Sequence, residues 1–358
     1  MGEMIRIPVG LIGFGSASRV FHAPVISATQ GLELAAVVER HGDTASRLYP
    51  AVRVFRDAAS LFDSGAVRLV VVATPNATHF DLARQALLTG HDVVVDKPFT
   101  SSYEEGRELS RLASSLARLL SVFQNRRWDG DFLTVRRLIE SGILGRVTLF
   151  ESRFDRYRPA RRTSSWRETE GPGAGLLFDL GPHLIDQALV LFGLPEAVTA
   201  DVRTERDDAV VDDAFDVVLH YPGIRAILRA GMLACDPAPR FRVQGTQGSY
   251  TKHGLDPQEN ALKAGGVPGS PGWGEEDESL WGTLATASAG GLIQKRTVRT
   301  EPGNYLRYYA NVRDAIVGAA PLGVGPHDGC RVIRILELAR ESSRLRRTLE
   351  VKDEPSHG

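Results

Sequence analysis

The chain has 358 residues, and its 43 basic and 44 acidic side chains give a formal net charge of −1. Nucleic-acid and membrane-surface binders usually carry a strong basic excess, so this balance disfavours both classes of protein. The two cysteines, Cys235 and Cys330, stand in unrelated contexts; they exclude a disulfide framework and offer no metal-binding or redox spacing.

The length is enough for two domains with separate hydrophobic cores. The first residues lack the basic segment, apolar run and cleavage site of a signal peptide. No apolar run approaches the length of a membrane span. We therefore expect a cytoplasmic globular protein that binds neither nucleic acid nor membrane and holds no metal ion.

The first third of the chain alternates strand-like runs with helix-like segments. The helix in THFDLARQALLTG is expected to be capped by Thr78 and to stop at Gly90. In the next helix, Ser101 or Ser102 with Glu104 or Glu105 three residues on gives a capping box. Such alternation predicts a parallel sheet covered by helices on both faces. The predicted strands are 7–12, 34–38, 69–73, 93–95 and 119–123.

The first strand runs into GFGSAS, which fits a glycine-rich nucleotide loop. Gly13 permits a tight turn, and Gly15 lets backbone amides approach a pyrophosphate at the start of a helix. Ser16 and Ala17 complete the predicted phosphate contacts, and Ser18 replaces the third glycine of G-x-G-x-x-G, where it loosens only helix–strand packing. The motif alone is weak evidence, because a glycine turn after any strand looks similar.

Glu39, at the end of the second predicted strand, strengthens the nucleotide interpretation. It lies 21 residues after Ser18, near the spacing at which an acidic residue binds the ribose 2′-hydroxyl. The alternative is an ordinary solvated charge at a strand end. A carboxylate repels the 2′-phosphate of NADP and so favours NAD, whereas Arg40 could stack on adenine or pair with that phosphate. We therefore predict NAD, with NADP as the alternative.

Two further loops, TPNATH and DKPF, follow later strands at the edge where open α/β sheets bind ligands. The plainer alternatives are an ordinary turn with a helix cap for the first, and a lysine that reaches the surface for the second. Pro98 restricts Lys97 to an extended conformation, and a cis bond would fix the direction of the lysine. The predicted cofactor contacts in these loops and after the last strand are Thr74, Pro75, Asn76, His79, Asp96, Lys97 and Gln124.

From residue 149 onward the predicted strands lie closer together and are separated mostly by turns, which indicates a largely antiparallel sheet. Helices are predicted in FLTVRRLIESGILG, NYLRYYANVRDAIVGAA and HDGCRVIRILELARESSRL. The stretch 265–278 is predicted to be a long loop, either a lid or a disordered insertion. The predicted strands are 149–154, 198–202, 215–220, 226–232 and 241–244.

The segment LLFDLGPHLIDQALVLFG, residues 176–193, has an apolar stripe typical of a helix that packs on a core. Its front end carries Asp179 and, four residues later, His183, which a packing helix does not need. Gly181 and Pro182 fall within the expected first turn, where a missing amide costs little. The plain alternatives are that Asp179 caps the helix and that His183 is an ordinary, partly buried polar residue.

This ordered set of motifs resembles the glucose–fructose oxidoreductase/inositol dehydrogenase (Gfo/Idh/MocA) family. The resemblance rests on VGLIGFG, TPNATH, GHDVVVDKPF and GLLFDLGPHLIDQALVLFG. The last two match the family's E/D-K-P and D-x-x-x-H signatures. The likeness covers nearly the whole chain, and SVFQNRRWDGDFL, WRE and NYLRYY are similar to the subgroup related to NADP-dependent scyllo-inositol dehydrogenase.

The resemblance implies an NAD(P)-binding Rossmann domain at 1–124 and an α+β domain at 125–358 with a large, open-faced, mostly antiparallel sheet. C-terminal helices could pack back on the first domain, and the open sheet commonly forms a homodimer or a dimer of dimers. By position, Lys97 falls on the family's catalytic lysine, Asp179 on its substrate-binding carboxylate and His183 on its acid/base. The resemblance also places further residues around the substrate: Asn125, Arg126, Tyr157, Trp166 and Arg167.

The predicted function is that of an NAD(P)-dependent oxidoreductase acting on a secondary hydroxyl or keto group of a sugar or cyclic polyol. Imidazole suits the proton transfer because its pKa lies near the working pH, and an ammonium group stabilises charge developing on the oxygen. NADP-using relatives carry a small residue and arginine where this chain has Glu39 and Arg40, which counts against an NADP preference. The alternatives are a non-catalytic NAD(P)-binding regulator and an NAD-assisted glycosidase.

Overall fold

The computed structural model describes residues 6–163, 165–288 and 290–352. These residues form two compact units, neither of which is a single stretch of sequence. The first unit contains the chain up to Trp128 together with Pro257–Gly274 and Gly303–Ile333; the second contains Asp129–Asp256, Glu275–Pro302 and the chain from Arg334 onward. No helix within the described ranges is long and apolar enough to cross a membrane.

The first unit is built on a six-stranded sheet. Its strands are β1 (Ile7–Ile12), β2 (Leu32–Val38), β3 (Arg53–Phe55), β4 (Leu69–Val72), β5 (Asp92–Val95) and β6 (Leu120–Val122). All pairs are parallel, in the order β3-β2-β1-β4-β5-β6, which confirms the predicted Rossmann sheet. The sequence missed β3, because three residues are too few for a hydrophobic run to show.

The second unit is built on a nine-stranded sheet. Its strands are β7 (Val147–Arg153), β8 (Ala197–Arg203), β9 (Ala214–Tyr221), β10 (Ile224–Gly231), β11 (Phe241–Gly245), β12 (Gly248–Lys252), β13 (Gly282–Ala287), β14 (Ile293–Val298) and β15 (Leu349–Glu350). The order is β14-β13-β12-β11-β7-β10-β9-β8-β15. Among the described strands of this sheet only β7 and β10 pair in parallel, so the predicted antiparallel character is confirmed.

Helices accompany both sheets along the chain. They are α1 (Ala23–Ala28), α2 (Thr44–Leu48), α3 (Ala58–Asp63), α4 (His79–Leu88), α5 (Tyr103–Ser115), α6 (Gly130–Glu140), α7 (Leu176–Phe192), α8 (Gln258–Lys263), α9 (Leu306–Ile316) and α10 (Pro326–Leu345). The capping box of α5 is formed by Ser102 and Glu105. Thr78 precedes α4 as predicted, but its hydroxyl donates to the carbonyl of Pro75 and does not cap the helix.

Alternation of side chains gives the nine-stranded sheet one buried and one open face. Along β9, Phe215, Val217 and Leu219 are buried, while the residues between them are only half-buried. Period-2 alternation places each set on one face of the sheet. Helix α7 packs against β9 and β10.

Helix α7 begins at Leu176, so Pro182 is its seventh residue and lies inside the helix. The prediction that Pro182 belongs to the first turn is therefore wrong. Its ring removes the hydrogen bond that would reach the carbonyl of Phe178. Gly181 precedes it where a Cβ would come within 2.9 Å of the Leu336 side chain, so glycine allows α10 to approach α7 closely.

The buried side chain of Arg240 links α7 to β7 and α6. Arg240 donates to Gln187 Oε1 on α7 at 2.9 Å and to the Ser152 hydroxyl on β7 at 2.6 Å. Its Nε lies 3.3 Å from the carboxylate of Asp131 on α6. Because a buried guanidinium needs several acceptors at once, this cluster holds the three elements in one arrangement.

Candidate active site

The residues predicted for the site fall into two sets, one in each unit. In the first unit the glycine loop after β1 is constrained by β4. Gly13 has a φ of 88°, and a Cβ there would come within 2.8 Å of the carbonyl oxygen of Ala73. Glycine is therefore required both by the backbone conformation and by the space available. The buried hydroxyl of Ser18 donates to the carbonyl of Gly13, so serine at the third position closes the loop.

Gly15 has the opposite surroundings from Gly13. It is exposed, as is Ser16, and a Cβ added to Gly15 would meet no atom within 4 Å. Glycine is thus not needed there to pack the protein against itself. Open space above a bare backbone at the start of a helix fits the close approach of a pyrophosphate. The helical segment that follows opens with one wider, π-helical turn, Ser18–His22, before α1.

The carboxylate of Glu39 is turned back into the protein. Its side-chain oxygens accept the N–H groups of Thr44 at 3.3 Å and Ala45 at 3.0 Å, at the start of α2. Glu39 is only 8% exposed, whereas Arg40 is exposed. These two bonds offset part of the negative charge that was expected to repel a 2′-phosphate. The Glu39 argument for NAD over NADP is weaker than the sequence alone indicates.

His79 joins the two loops TPNATH and DKPF. The ring is fully buried, with Nδ1 2.9 Å from the carbonyl oxygen of Pro98 and Nε2 2.9 Å from that of Thr74. Burial lowers the pKa of His79, although the charge of Asp96 opposes this effect. Asn76 is also buried, while Pro75, the residue before it, is exposed.

The bond between Lys97 and Pro98 is cis. The side chain of Asp96 accepts the N–H of Lys97 at 2.8 Å, so carboxylate and lysine backbone are held together. Burial would raise the pKa of Asp96, but the adjacent His22 ring and the charges of Lys97 and His79 hold it below its ordinary value. The loop therefore carries a buried, ionised carboxylate directly beside a partly exposed lysine.

Gln124 and Asn125 follow β6 and are both buried. Gln124 is 1% exposed, and its Oε1 has no hydrogen-bond partner among the described residues. A buried amide oxygen without a partner is costly, and a bound molecule that donates a hydrogen bond would satisfy it. This observation agrees with the predicted cofactor contact.

Arg126, predicted to touch substrate, is buried and paired with Glu259 of α8. Burial opposes ionisation of Glu259, but the charges of Arg126 and Lys263 outweigh it and lower the pKa of that carboxyl to about 2. The guanidinium is thus held inside the first unit by an ionised partner. A role for Arg126 in substrate binding stays a prediction.

In the second unit, Asp179 is the fourth residue of α7 and does not cap it. The cap position is held by Gly175, and Asp212 accepts the N–H of Leu177 at 2.7 Å. Asp179 instead lies 3.1 Å from Nε of Arg167 and 3.9 Å from Nη1 of Arg156. The N-cap alternative is therefore wrong, and the carboxylate belongs to a charged cluster.

His183 follows Asp179 by four residues on α7, so both side chains lie on one face of the helix. The imidazole is buried. Asp179, Arg167 and His183 together give this end of α7 a carboxylate, a guanidinium and a titratable ring. Such a set can bind hydroxyl groups and exchange a proton.

The predicted substrate residues Tyr157 and Trp166 are the sequence neighbours of Arg156 and Arg167 in the second unit. Trp166 and Arg167 belong to a short turn, Trp166–Glu168, and the guanidinium of Arg167 stacks over the Trp166 ring at 4.6 Å. Tyr157 is 57% exposed and pairs with Leu233 through a single β-bridge. Their role in substrate binding stays a prediction.

Comparison with known proteins agrees with this architecture. Residues 7–124 match the NAD-binding Rossmann fold of the Gfo/Idh/MocA oxidoreductase family, and residues 136–351 match the family's C-terminal alpha/beta domain. The oxidoreductase YdgJ of Escherichia coli is 46% identical over 349 residues, which cover 98% of this chain and 99% of YdgJ.

Two further similarities extend over the whole chain. The scyllo-inositol 2-dehydrogenase (NADP(+)) IolW of Bacillus subtilis is 37% identical, over 96% of this chain and 95% of IolW. The solved structure of YPO2259 from Yersinia pestis has a TM-score of 0.93 at 43% identity and covers 98% of this chain and 99% of its own.

The fold and the matched domains define an oxidoreductase with an NAD-binding Rossmann domain. The chain belongs to the Gfo/Idh/MocA family, as the motifs indicate.

Sequence reasoning overlooked Arg156, Asp212 and His22. Arg156 stands in an arginine-rich stretch where no single arginine is distinguished. Asp212 acts on a helix that begins 36 residues earlier in the chain, and His22 faces a residue 74 positions later. The only signal in the sequence that pointed to His22 as a site residue was its position a few residues after the glycine loop.

We predict that Gly15→Val weakens nucleotide binding without unfolding the protein. The added side chain enters the open space above the loop, where the pyrophosphate is expected, so the dissociation constant for NAD or NADP should rise at least about tenfold. Fluorescence titration measures this effect. Gly325→Val is the matched control, since a Cβ there also meets no atom within 4 Å. Equal weakening in both variants would contradict the assignment.

Glu259 predicts a pH-dependent contribution to stability. Its pKa in the folded protein, about 2, lies below the ordinary value of 4.5, so the ion pair stabilises the fold above about pH 4.5 and this contribution is lost as the pH falls toward 2. Glu259→Gln should lower the free energy of unfolding by on the order of 3 kcal/mol at neutral pH.

Urea denaturation from pH 7 down to pH 2.5 checks this expectation. The difference between wild type and Glu259→Gln should shrink over the acid range. The exposed Glu140, paired with Arg136 on α6, provides the control, and Glu140→Gln should change stability little at any pH. A difference that stays constant down to pH 2.5 would show that ionisation of Glu259 is not the cause.

Proposed function

We propose that the protein is an NAD(P)-dependent dehydrogenase acting on a secondary hydroxyl or keto group of a sugar or cyclic polyol. The observation that carries this proposal is the position of Lys97, the second residue after β5. In the sheet order, β5 lies two strands from β1, whose carboxyl end forms the glycine loop. Lysine and loop therefore belong to the edge of the sheet where α/β proteins bind ligands.

The residues of the first unit fit a dinucleotide in three ways: the open backbone at Gly15, the unsatisfied oxygen of Gln124 and the acidic residue after β2. A bound nicotinamide would supply the chemistry of hydride acceptance and delivery. We assign to Lys97 a hydrogen bond to the reacting oxygen of the substrate, where its ammonium stabilises developing negative charge.

His183 is assigned the proton transfer. A secondary alcohol becomes a carbonyl only as its hydroxyl proton leaves, so a base is needed whose pKa lies near the working pH. Imidazole meets that need, and the same ring returns the proton in reduction. We assign to Asp179 a hydrogen bond to a neighbouring hydroxyl group of the substrate. A molecule with several hydroxyls suits this set of charged and hydrogen-bonding groups.

A polyol substrate is further supported by IolW, whose name records a scyllo-inositol dehydrogenase that uses NADP. For this chain we propose that both NAD and NADP are accepted. The support is that two backbone N–H groups already engage the Glu39 carboxylate, while Arg40 beside it is exposed.

The test is a spectrophotometric screen of inositols, aldoses and their lactones or ketones with NAD and NADP side by side. Lys97→Ala and His183→Ala should each lower kcat/KM on the best substrate by about 10²- to 10⁴-fold, the usual size of acid–base and electrostatic contributions. The control variants are Lys295→Ala and His327→Ala, whose side chains are exposed on β14 and α10.

Near wild-type turnover by either Lys97→Ala or His183→Ala would show that the assigned roles are wrong. Cleavage of a glycoside without accumulation of reduced cofactor would favour the glycosidase. Nucleotide binding without turnover on any substrate would favour the regulator.

We also propose that the open face of the nine-stranded sheet joins two copies of the chain. On this face Val218 of β9 and Ile227 of β10 lie opposite each other and are half-exposed, as an apolar contact would require. Val218→Lys should shift the mass measured by light scattering from dimer or tetramer toward a smaller species. Val210→Lys, at an exposed position outside the strands, is the control. A monomeric wild type would contradict the proposal.

A further inference from the structure

Three buried polar side chains of the first unit form a row that ends beside Lys97. Its members are Tyr309 of α9, His22 of the π-helical turn after the glycine loop, and Asp96 at the end of β5. All three are buried, and His22 is 0% exposed. Aromatic rings close around them: Phe123 lies 4.1 Å from the His22 ring, centroid to centroid. Three polar groups in such surroundings are costly unless they serve one another.

The distances between these groups show the order in which they contact one another. Nδ1 of His22 lies 2.6 Å from the hydroxyl of Tyr309. Nε2 faces Oδ1 of Asp96 at 3.7 Å, which is too long for a hydrogen bond, so the two groups interact electrostatically and Nε2 has no hydrogen-bond partner among the described residues. Burial raises the pKa of Tyr309 well above its ordinary value, so the phenol keeps its proton. This proton can be donated to Nδ1 of His22, and in that tautomer the ring hydrogen is on Nε2, on the side of the carboxylate.

Asp96 transmits this arrangement to Lys97. Its Oδ1, the atom that faces His22, also accepts the backbone N–H of Lys97 at 2.8 Å. On the other side of Lys97, the carbonyl of Pro98 lies 2.9 Å from His79. Both neighbours of the lysine in the sequence therefore face buried imidazoles. The titratable groups whose interactions lower the pKa of Asp96 are His22, Lys97 and His79.

We propose that His22 is a positioning residue for Lys97, acting through Asp96. It keeps the Asp96 carboxylate directed at the lysine backbone, which sets the direction of the Lys97 side chain and keeps a negative charge beside its ammonium. This inference rests on the proposed function, in which Lys97 touches the reacting oxygen. It adds a residue from the helical turn after the glycine loop to the groups that position the lysine.

A purely structural role does not need this chemistry. An ionised carboxylate in a buried site costs more than a neutral isostere, so packing alone would be served equally well by asparagine. The same strand provides the comparison. Asp92, at the start of β5, is also buried, yet it accepts the N–H of Leu119 and lies 3.5 Å from Arg68, at the opposite end of β5 from Lys97.

The experiment uses the full-length protein and two matched pairs of variants. Asp96→Asn and His22→Phe each remove one of the two groups proposed to position Lys97. Asp92→Asn and His91→Phe make the same changes at the other end of β5, where His91 is buried against Phe62. Asp96→Glu keeps the charge and serves as the conservative rescue. Thermal unfolding and nucleotide titration are measured for each variant before any kinetics.

The first readout does not depend on turnover. Acylation of Lys97 by a water-soluble reagent is followed by mass spectrometry from pH 7 to pH 10, because only the neutral amine reacts. Loss of the neighbouring negative charge favours the neutral amine, so Asp96→Asn should raise the rate at pH 8 at least about threefold. His22→Phe should change the rate in the same direction, and both control variants should stay within about twofold of wild type. Asp96→Glu should restore the wild-type profile.

The second readout is kinetic. Asp96→Asn and His22→Phe should lower kcat at least about tenfold while the nucleotide dissociation constant stays within about twofold. If His22→Phe does not fold, Tyr309→Phe removes the partner of Nδ1 and should show a smaller change of the same sign in both readouts.

The outcome that overturns the inference is a folded Asp96→Asn or His22→Phe protein with unchanged Lys97 acylation and unchanged kcat. Equal effects in the Asp92→Asn and His91→Phe controls would overturn it as well. A wild-type protein without dehydrogenase activity would refute the proposed function separately, since the acylation profile of Lys97 would still report whether His22 and Asp96 control the lysine.

Discussion

The first unit depends on the approach of the backbone at Gly13 to the carbonyl of Ala73. At this point the turn after β1 meets the end of β4, and no side chain fits between them. The contact brings the glycine loop beside the start of TPNATH, and His79 then joins TPNATH to the lysine loop. Three loops from three strands therefore form a single backbone surface. A parallel sheet provides such a surface because its strand ends share one edge.

Much of the fold follows from local patterns. The strands β1, β2, β4 and β5 are short, continuous hydrophobic runs, and such runs in alternation with capped helices define a parallel sheet. The ladder from β7 to β11 is also visible in its spacing. The strands β12, β13 and β14 escape notice because they contain glycine, threonine and charged residues, and their stability comes from pairing with neighbours.

The candidate site could be predicted only in part, for a physical reason. Gly13, Gly15, Lys97, Asp179 and His183 stand in short motifs that are recognisable when they occur together and in this order. The direction of a side chain depends on partners elsewhere in the chain, which no motif contains. Glu39 shows the limit: its spacing indicates a ribose contact, but its carboxylate also receives the first N–H groups of α2.

Asp179 shows the same limit in the opposite sense. A carboxylate near the front of a helix usually caps it, and here Asp212 has taken that task from another part of the chain. Asp179 is thereby left for the arginines beside it. Which of the two carboxylates binds the helix end and which joins the charged cluster depends on the tertiary structure, because the two residues are 33 positions apart.

The first unit includes α9, which lies far along the sequence, and this affects how the unit folds during synthesis. Its tyrosine-rich segment lies in α9, where Tyr308 and Tyr309 pack against Phe123. A ribosome that has synthesised the whole six-stranded sheet has therefore not yet supplied the aromatic side chains that complete its core. At about 5 to 20 residues per second, the missing helix follows after roughly ten seconds or more. During that interval the nascent nucleotide unit exposes an incomplete core, and its final closure waits for nearly the entire chain.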